Sequence, residues 1–296
     1  MQISTTLFYD MASKRMSTLT DRANVLQTQI ATGKKVQSAS ADAALAQQVA
    51  EFDRKDADTA VYQSNLNLAG SLLNQADGVL SSMSAQMQSA KELTIQAANG
   101  TQTPETRKAI GIQISSIIDS IVGLSNTKNL RGQPLFGNED GTQAVVATNP
   151  GYAFSTPKVS AVPIGDGQLM EATESAGNIL NYDDGDKSST LTMLQALADT
   201  LALGNPPDSS TLDDITVASD RIAYVQASVG ARGARVELQQ NQLTTASDNR
   251  AELRSSVEDI DITSSIAELQ KIMTVLSATQ ASFSKLSGLS LFDYLR

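Results

Sequence analysis

The chain has 296 residues, a net charge of −10, an aromatic content of only 4% and no Trp. It contains neither His nor Cys, which removes imidazole bases, thiol nucleophiles, disulfides and the usual zinc and haem ligands together. The length suits one large domain or a few small ones, cores must be built from Ala, Leu, Ile, Val and Met as in helical bundles, and the acidic balance argues against a nucleic-acid partner.

Taken in chain order, the first predicted element is a long amphipathic helix. Met16, Leu19, Ala23, Leu26 and Ile30 step by three and four residues, the spacing of a coiled-coil seam. The seam extends back through Tyr9 and Ala12 and stops at Thr32-Gly33-Lys34-Lys35, a helix-ending glycine beside basic residues. Residues 36–41 read as loop. Asp42 is placed to cap a short helix carrying Leu45, Val49 and Phe52.

A second long helix follows, with Leu66, Ala69, Leu73, Ala76, Leu80, Met83, Met87, Ala90, Thr94 and Ala97 in one frame. Leu68, Leu72, Val79 and Leu93 form a flanking stripe, so two faces are expected to be buried. Asn99-Gly100 reads as a left-handed stop. After Pro104 a third helix carries Ile110, Ile114, Ile117, Ile121 and Leu124, and the short link predicts an antiparallel hairpin.

Between Gly132 and about Asp186 the composition changes to Pro, Gly, Asp, Thr and Ser. Runs such as Gln143–Ala147 and Lys158–Val162 are short and strand-like. Helix resumes at Leu191 with Leu194, Leu197 and Leu201, and breaks at Gly204-Asn205-Pro206-Pro207. From Ile215 a heptad frame runs through Ala218, Ile222, Val225, Val229, Val236, Leu243, Ala246, Leu253, Val257 and Ile260, with Arg232, Gln239 and Arg250 as polar intrusions. The last element keeps the same step at Ile262, Ile266, Leu269, Met273, Leu276 and Phe283, interrupted by Gln280.

The resulting expectation is a mainly α, elongated antiparallel helical rod. Residues 1–40 and 262–296 would form terminal coiled-coil helices, residues 41–131 and 190–261 a helical rod domain, and residues 132–189 a β-rich outer domain. Charge follows this division: residues 138–220 hold thirteen acids and two bases, against nineteen acids and twenty bases elsewhere. Near-neutral arms can pack side by side, while an acidic middle suits a solvent-facing surface.

The ordered motifs at both ends resemble those of the flagellin-type axial proteins of the bacterial flagellum. Thr32-Gly33-Lys34-Lys35-Val36 is similar to the family's Ser/Thr-Gly-Lys-Arg/Lys-Val loop, although Ser40-Ala41-Asp42-Ala43-Ala44 lacks one Asp and the Pro of the family's continuation. Gln96–Thr101, including Asn99 and Gly100, resembles the inter-helix turn, with Arg107 beyond it. Gly132-Gln133-Pro134-Leu135-Phe136-Gly137 resembles the family's Gly-x-Tyr-Leu-Phe segment, with Pro134 where Tyr is common. Gly230 and Arg232, with Arg235, lie in a return-helix motif. The opening Met1–Thr5 and the closing Ser290–Leu295, with Leu291, Tyr294 and Leu295, resemble hook-associated, junction-type members more than filament flagellins.

The resemblance implies a structural protein of the flagellum, placed extracellularly between hook and filament and needed for filament assembly and motility. It implies type III export without a cleavable signal peptide. The implied partners are a neighbouring hook-associated protein, flagellin, copies of itself in a ring, and a cytoplasmic export chaperone at the C-terminal region. No enzyme activity, cofactor, metal, nucleic acid or membrane insertion is expected. A filament or minor flagellin with a surface-binding role is the alternative, and a signalling coiled coil would need a membrane anchor.

The residues add three expectations. No stretch reads as the roughly 18–20 apolar residues that cross a bilayer. Asn181–Asp186 is read as an acidic turn, since Thr192 stands where a calcium loop needs its last acid. Neither terminal helix can bury its seam alone, so both are expected to order only on assembly.

Overall fold

The computed structural model describes residues 2–36, 40, 42–129, 131–137, 143–148, 151–155, 161–181 and 189–294, with side chains left aside at 2–6, 8 and 286–294. The elements are α1 (Gln2–Thr32), α2 (Ala43–Ala98), α3 (Pro104–Ser125), β1 (Val145–Ala147), β2 (Tyr152–Phe154), β3 (Ala161–Gly165), β4 (Gln168–Glu171), α4 (Ala176–Leu180), α5 (Thr190–Ala202), α6 (Thr211–Glu258) and α7 (Ile262–Tyr294). The protein is mainly α, with two two-stranded antiparallel sheets, β1–β2 and β3–β4. It divides into two compact units, residues 58–245 and residues 1–57 with 246–296. Helices α2 and α6 contribute to both.

The unit of residues 58–245 has a continuous apolar core. Every seam residue expected on α2 from Leu66 to Ala97 is buried, joined by Val79, while Leu68, Leu72 and Leu93 are half-buried. Helix α6 runs antiparallel to α2. Lys91 meets Thr216, Gln226 donates to Asp77, and Gln240 donates to Asn67. Ile215, Ala218, Ile222, Val225, Val229 and Val236 are all buried.

Thr103 caps α3 and Pro104 opens it, a position where the missing N–H costs nothing. The helix turns back along α2. The Arg107 guanidinium donates to the Ala97 carbonyl at one end, and Gln75 donates to the Lys128 carbonyl at the other. At Gly111 a Cβ would lie 3.1 Å from Leu201 Cβ and 3.3 Å from the Ala198 carbonyl oxygen, so glycine sets how closely α3 and α5 approach.

The residues between α3 and α5 feed the same core rather than a separate one. Leu135, Phe136, Ala144, Val145, Ile164, Met170, Ile179 and Leu180 cluster with the helices. Polar bonds fix the β3–β4 hairpin: Tyr62 donates to Asp166 and Asn65 to the Pro163 carbonyl. The Asp166 carboxylate holds the Tyr62 hydroxyl above its ordinary pKa.

Four expectations change. The short helix after Asp42 and the long helix after it are one helix, α2, capped where Asp42 accepts from the Leu45 amide; no Pro or Gly lies between Phe52 and Leu66 to break it. Gly100 has no positive φ. The stop is an Asx turn, in which Asn99 Oδ1 accepts from the amide and hydroxyl of Thr101. Helix α3 is long and apolar enough by composition to cross a membrane, but Ile110, Ile114, Ile117, Ile118 and Ile121 are spent in the protein core. On α6 the frame fades after Val236: Leu243 is half-buried, and Ala246 and Leu253 are exposed. Residues 182–186 of the acidic turn lie outside the described residues.

Candidate functional site

Helices α1 and α7 pair antiparallel in the unit of residues 1–57 and 246–296. Their buried apolar content is slight: Ala23, Leu26 and Ile272, with Leu19 and Leu269 packed against them. Arg22 donates to Glu268, and Tyr9 meets Phe283 edge-to-face with ring centroids 5.3 Å apart. On α1, Ala23 and Leu26 are buried and Met16, Leu19 and Ile30 half-buried.

The α7 seam is rotated from the expected one. Leu269, Leu276 and Phe283 are half-buried on it, but Ile262, Ile266 and Met273 are exposed, at 49%, 41% and 52%. The inward line is Ser265, Leu269, Ile272, Leu276, Thr279 and Phe283. Two apolar lines overlap on this helix because Leu269 and Leu276 are three or four residues from both Ile272 and Met273. Ile272 was legible by that same spacing. Leu7, Met11 and Val25 of α1 are also exposed.

The roots of the two helices meet in a compact clasp. Gly33 ends α1 with φ +71°, a conformation that favours glycine. Beyond it Lys34 pairs with Asp259 as an isolated antiparallel bridge: the Lys35 amide donates to the Glu258 carbonyl at 2.7 Å, and the Ile260 amide donates to the Gly33 carbonyl at 3.0 Å. Lys34 Nζ lies 2.8 Å from Glu258 Oε2. Lys35 Nζ donates to the Ser256 and Val257 carbonyls, groups left without partners at the end of α6 and favourable to a cation.

Glu258 is 7% exposed, and its second oxygen accepts from Arg254. Arg254 also bonds Asp53 and Asp56, and Arg250 bonds Asp56. The Asp53 hydrogen bond leads in holding the Arg254 guanidinium above its ordinary pKa. Asp261 caps α7 by accepting from the Ser264 amide.

Most of the remaining motif residues belong to the unit of residues 58–245. Phe136 is fully buried in the core of the other unit. Asn99 and Gly100 form the turn already described. Gly230 is exposed, with open space where a side chain would stand. Arg232 donates to the Glu171 and Thr173 carbonyls and to Glu174 Oε2 at 2.9 Å. Leu291 and Tyr294 lie within the α7 backbone range, and Leu295 lies outside the described residues.

The polar intrusions of the α6 frame thereby find partners. Arg232 holds the segment before α4, Gln239 is buried where Gly165 of β3 passes (a Cβ there would come within 3.0 Å of its amide nitrogen), and Arg250 bonds Asp56. Recesses of about 240 and 470 Å³ lie beside α5 and between α2 and α6. Among the described residues no group of acids is placed to hold a metal.

Residues 3–140 match the bacterial flagellin N-terminal helical region and residues 212–295 match the bacterial flagellin C-terminal helical region. The chain belongs to the flagellin family. It is 28% identical to a flagellin of Bacillus subtilis over 224 residues, 71% of either chain. It is 22% identical to flagellar hook-associated protein 3 of Escherichia coli over 314 aligned positions, 99% of either chain. The fold is that of a flagellar hook-associated protein-3 solved from Legionella pneumophila, with TM-score 0.65 at 15% identity over 71% of this chain and 98% of that one. A flagellin-like helical fold and membership of a family of flagellar structural proteins are therefore established.

Proposed function

We propose that this chain is the structural subunit that joins hook to filament, assembled with copies of itself in a short ring outside the cell. The observation that carries this reading is alignment length. The hook-associated relatives of Escherichia coli and Salmonella typhimurium align over 99% and 100% of both chains, so the region between the two helical ends is shared in extent as well as the ends. A filament flagellin is the second reading, favoured by higher identity, 26% to a Listeria monocytogenes flagellin over 88% of this chain.

The helix pair supports assembly because it leaves apolar surface unused. Ile262, Ile266, Met273, Leu7 and Met11 face outward, and three buried apolar residues among those described are a small return for ordering two long helices, each residue costing about 1–2 kcal/mol of backbone entropy. The terminal helices are the assembly interface in this reading, and they gain their full order only among neighbours. Export through the flagellar type III route, masking of the C-terminal region by a chaperone, and the absence of enzyme activity belong to the same proposal.

Electron microscopy of a deletion strain tests it. Hooks without filaments, with flagellin shed to the medium, are expected. Normal filaments would refute the junction role and favour the flagellin reading.

A further inference from the structure

We propose that the clasp of Gly33–Lys35 with Glu258–Ile260 is the nucleus that sets the register of the α1/α7 pair, from which the two helices zip outward as the chain assembles. The inference rests on the reading of that pair as the assembly interface and adds how the pair selects one alignment.

The apolar pattern does not choose the alignment. Helix α7 offers two overlapping lines, through Ile272 and through Met273, and among the described residues three apolar side chains of the pair are buried. Such a seam tolerates rotation and slippage. Pairing must also bring together segments from opposite ends of the chain, and the closure cost falls before any seam contact forms.

The clasp meets both problems with directional bonds. Two backbone hydrogen bonds flank the Lys34/Asp259 bridge and admit one pairing. The Glu258 carboxylate is stitched to Lys34 across the clasp and to Arg254 one turn back on its own helix, so a slipped pairing would take the Lys34 ammonium away from a nearly buried charge. From this anchor the alignment is kept. Between the Lys34/Asp259 bridge and the Tyr9/Phe283 contact lie 24 residues on the α1 side (10–33) and 23 on the α7 side (260–282).

The absence of native cysteine permits a direct test. Lys34 and Asp259 form the close, non-hydrogen-bonded kind of antiparallel pair, with Cα atoms about 4.5 Å apart in such pairs, within reach of a disulfide. The full-length double variant Lys34→Cys/Asp259→Cys is expected to close an intramolecular disulfide in the free chain at least about tenfold faster than the displaced pair Lys34→Cys/Glu268→Cys. Equal rates would overturn the proposal. In the Glu258→Gln chain the Lys35 and Ile260 amides are expected to exchange hydrogen about tenfold faster than in the parent, because Lys34 and Arg254 lose the charged acceptor that holds the clasp closed around those backbone bonds. Equal exchange at those amides would overturn the ionic stitch.

Register control is read in the double-cysteine chain carrying Glu258→Gln. Oxidation is expected to raise protection at residues 19–26 and 269–276 by about fivefold or more over the reduced chain, because the pairing nucleus is then held. Identical protection in both states would sink the nucleus. A locked chain that gains protection yet enters no flagellar structure would instead sink the assembly reading.

Discussion

The unit of residues 58–245 and the paired ends are both helical, yet they are held by different physics. In the first, side chains from α2, α3, α5, α6 and the short strands close one apolar core, with Leu66, Leu80, Met83, Ile114 and Phe136 fully buried. In the second, apolar burial is confined to a few residues and the well-defined contacts are ion pairs and a backbone clasp. The contrast teaches that a heptad pattern reports amphipathicity, not how much of the apolar face a single chain will cover. One pattern made a self-sufficient bundle; the other left apolar side chains such as Ile262, Ile266 and Met273 exposed.

The contrast breaks most readily at the core. Leu80→Ala is expected to lower the unfolding free energy of the larger unit by about 2–5 kcal/mol, read from the urea midpoint. Leu19→Ala, on the half-buried α1 seam, should change the free chain by roughly 1 kcal/mol or less while reducing incorporation into flagella. An equal loss from both substitutions in the free chain would erase the distinction drawn here.

Close approaches come next. Gly204 has φ +81°, and a Cβ there would lie 2.8 Å from Pro104 Cβ. Gly204→Ala should cost about 1–3 kcal/mol by thermal melting, from backbone strain and displacement of the α3 start. Arg232→Ala removes an ion pair whose side chains are 17% and 18% exposed, together with two carbonyl bonds. About 1–3 kcal/mol is expected, with faster hydrogen exchange confined to residues 171–180.

Two surface tests sharpen the comparison. Ile266→Ser on the outward line of α7 should leave the free chain within about 0.5 kcal/mol of the parent by denaturant titration, yet lower motility. Unchanged motility would remove that line from the interface. Gly233→Ala should stabilise the free chain by roughly 0.5–1 kcal/mol, since open space surrounds the position and a helix-interior glycine is costly. A fall in assembly with that gain would mark the site as a close contact between subunits.

Much of the fold was legible in the residues because long helices write their own pattern. The α2 face from Leu66 to Ala97, the Pro104 start, the Gly33 stop and the α1 seam were all readable, since each depends on local spacing and backbone chemistry. The merger of two expected helices into α2 was less so: Asp53 and Asp56 find their partners in Arg250 and Arg254, far along the chain. The polar breaks at Arg232, Gln239 and Arg250 read as flaws in a heptad frame, and their meaning lay in partners far away in the chain.

By itself, then, the sequence determined the apolar faces of the long helices, the Gly33 stop, the Pro104 start and the family whose motifs they resemble, because those depend on neighbours a few residues away. Only the tertiary structure decided that Leu135, Phe136, Val145, Ile164 and Ile179 join the helical core, that Ile272 rather than Met273 turns inward, and that Lys34, Arg254 and Glu258 converge at the roots of the terminal helices. Those choices rest on contacts between residues far apart along the chain, and no local period encodes which of two equivalent apolar lines a helix will bury.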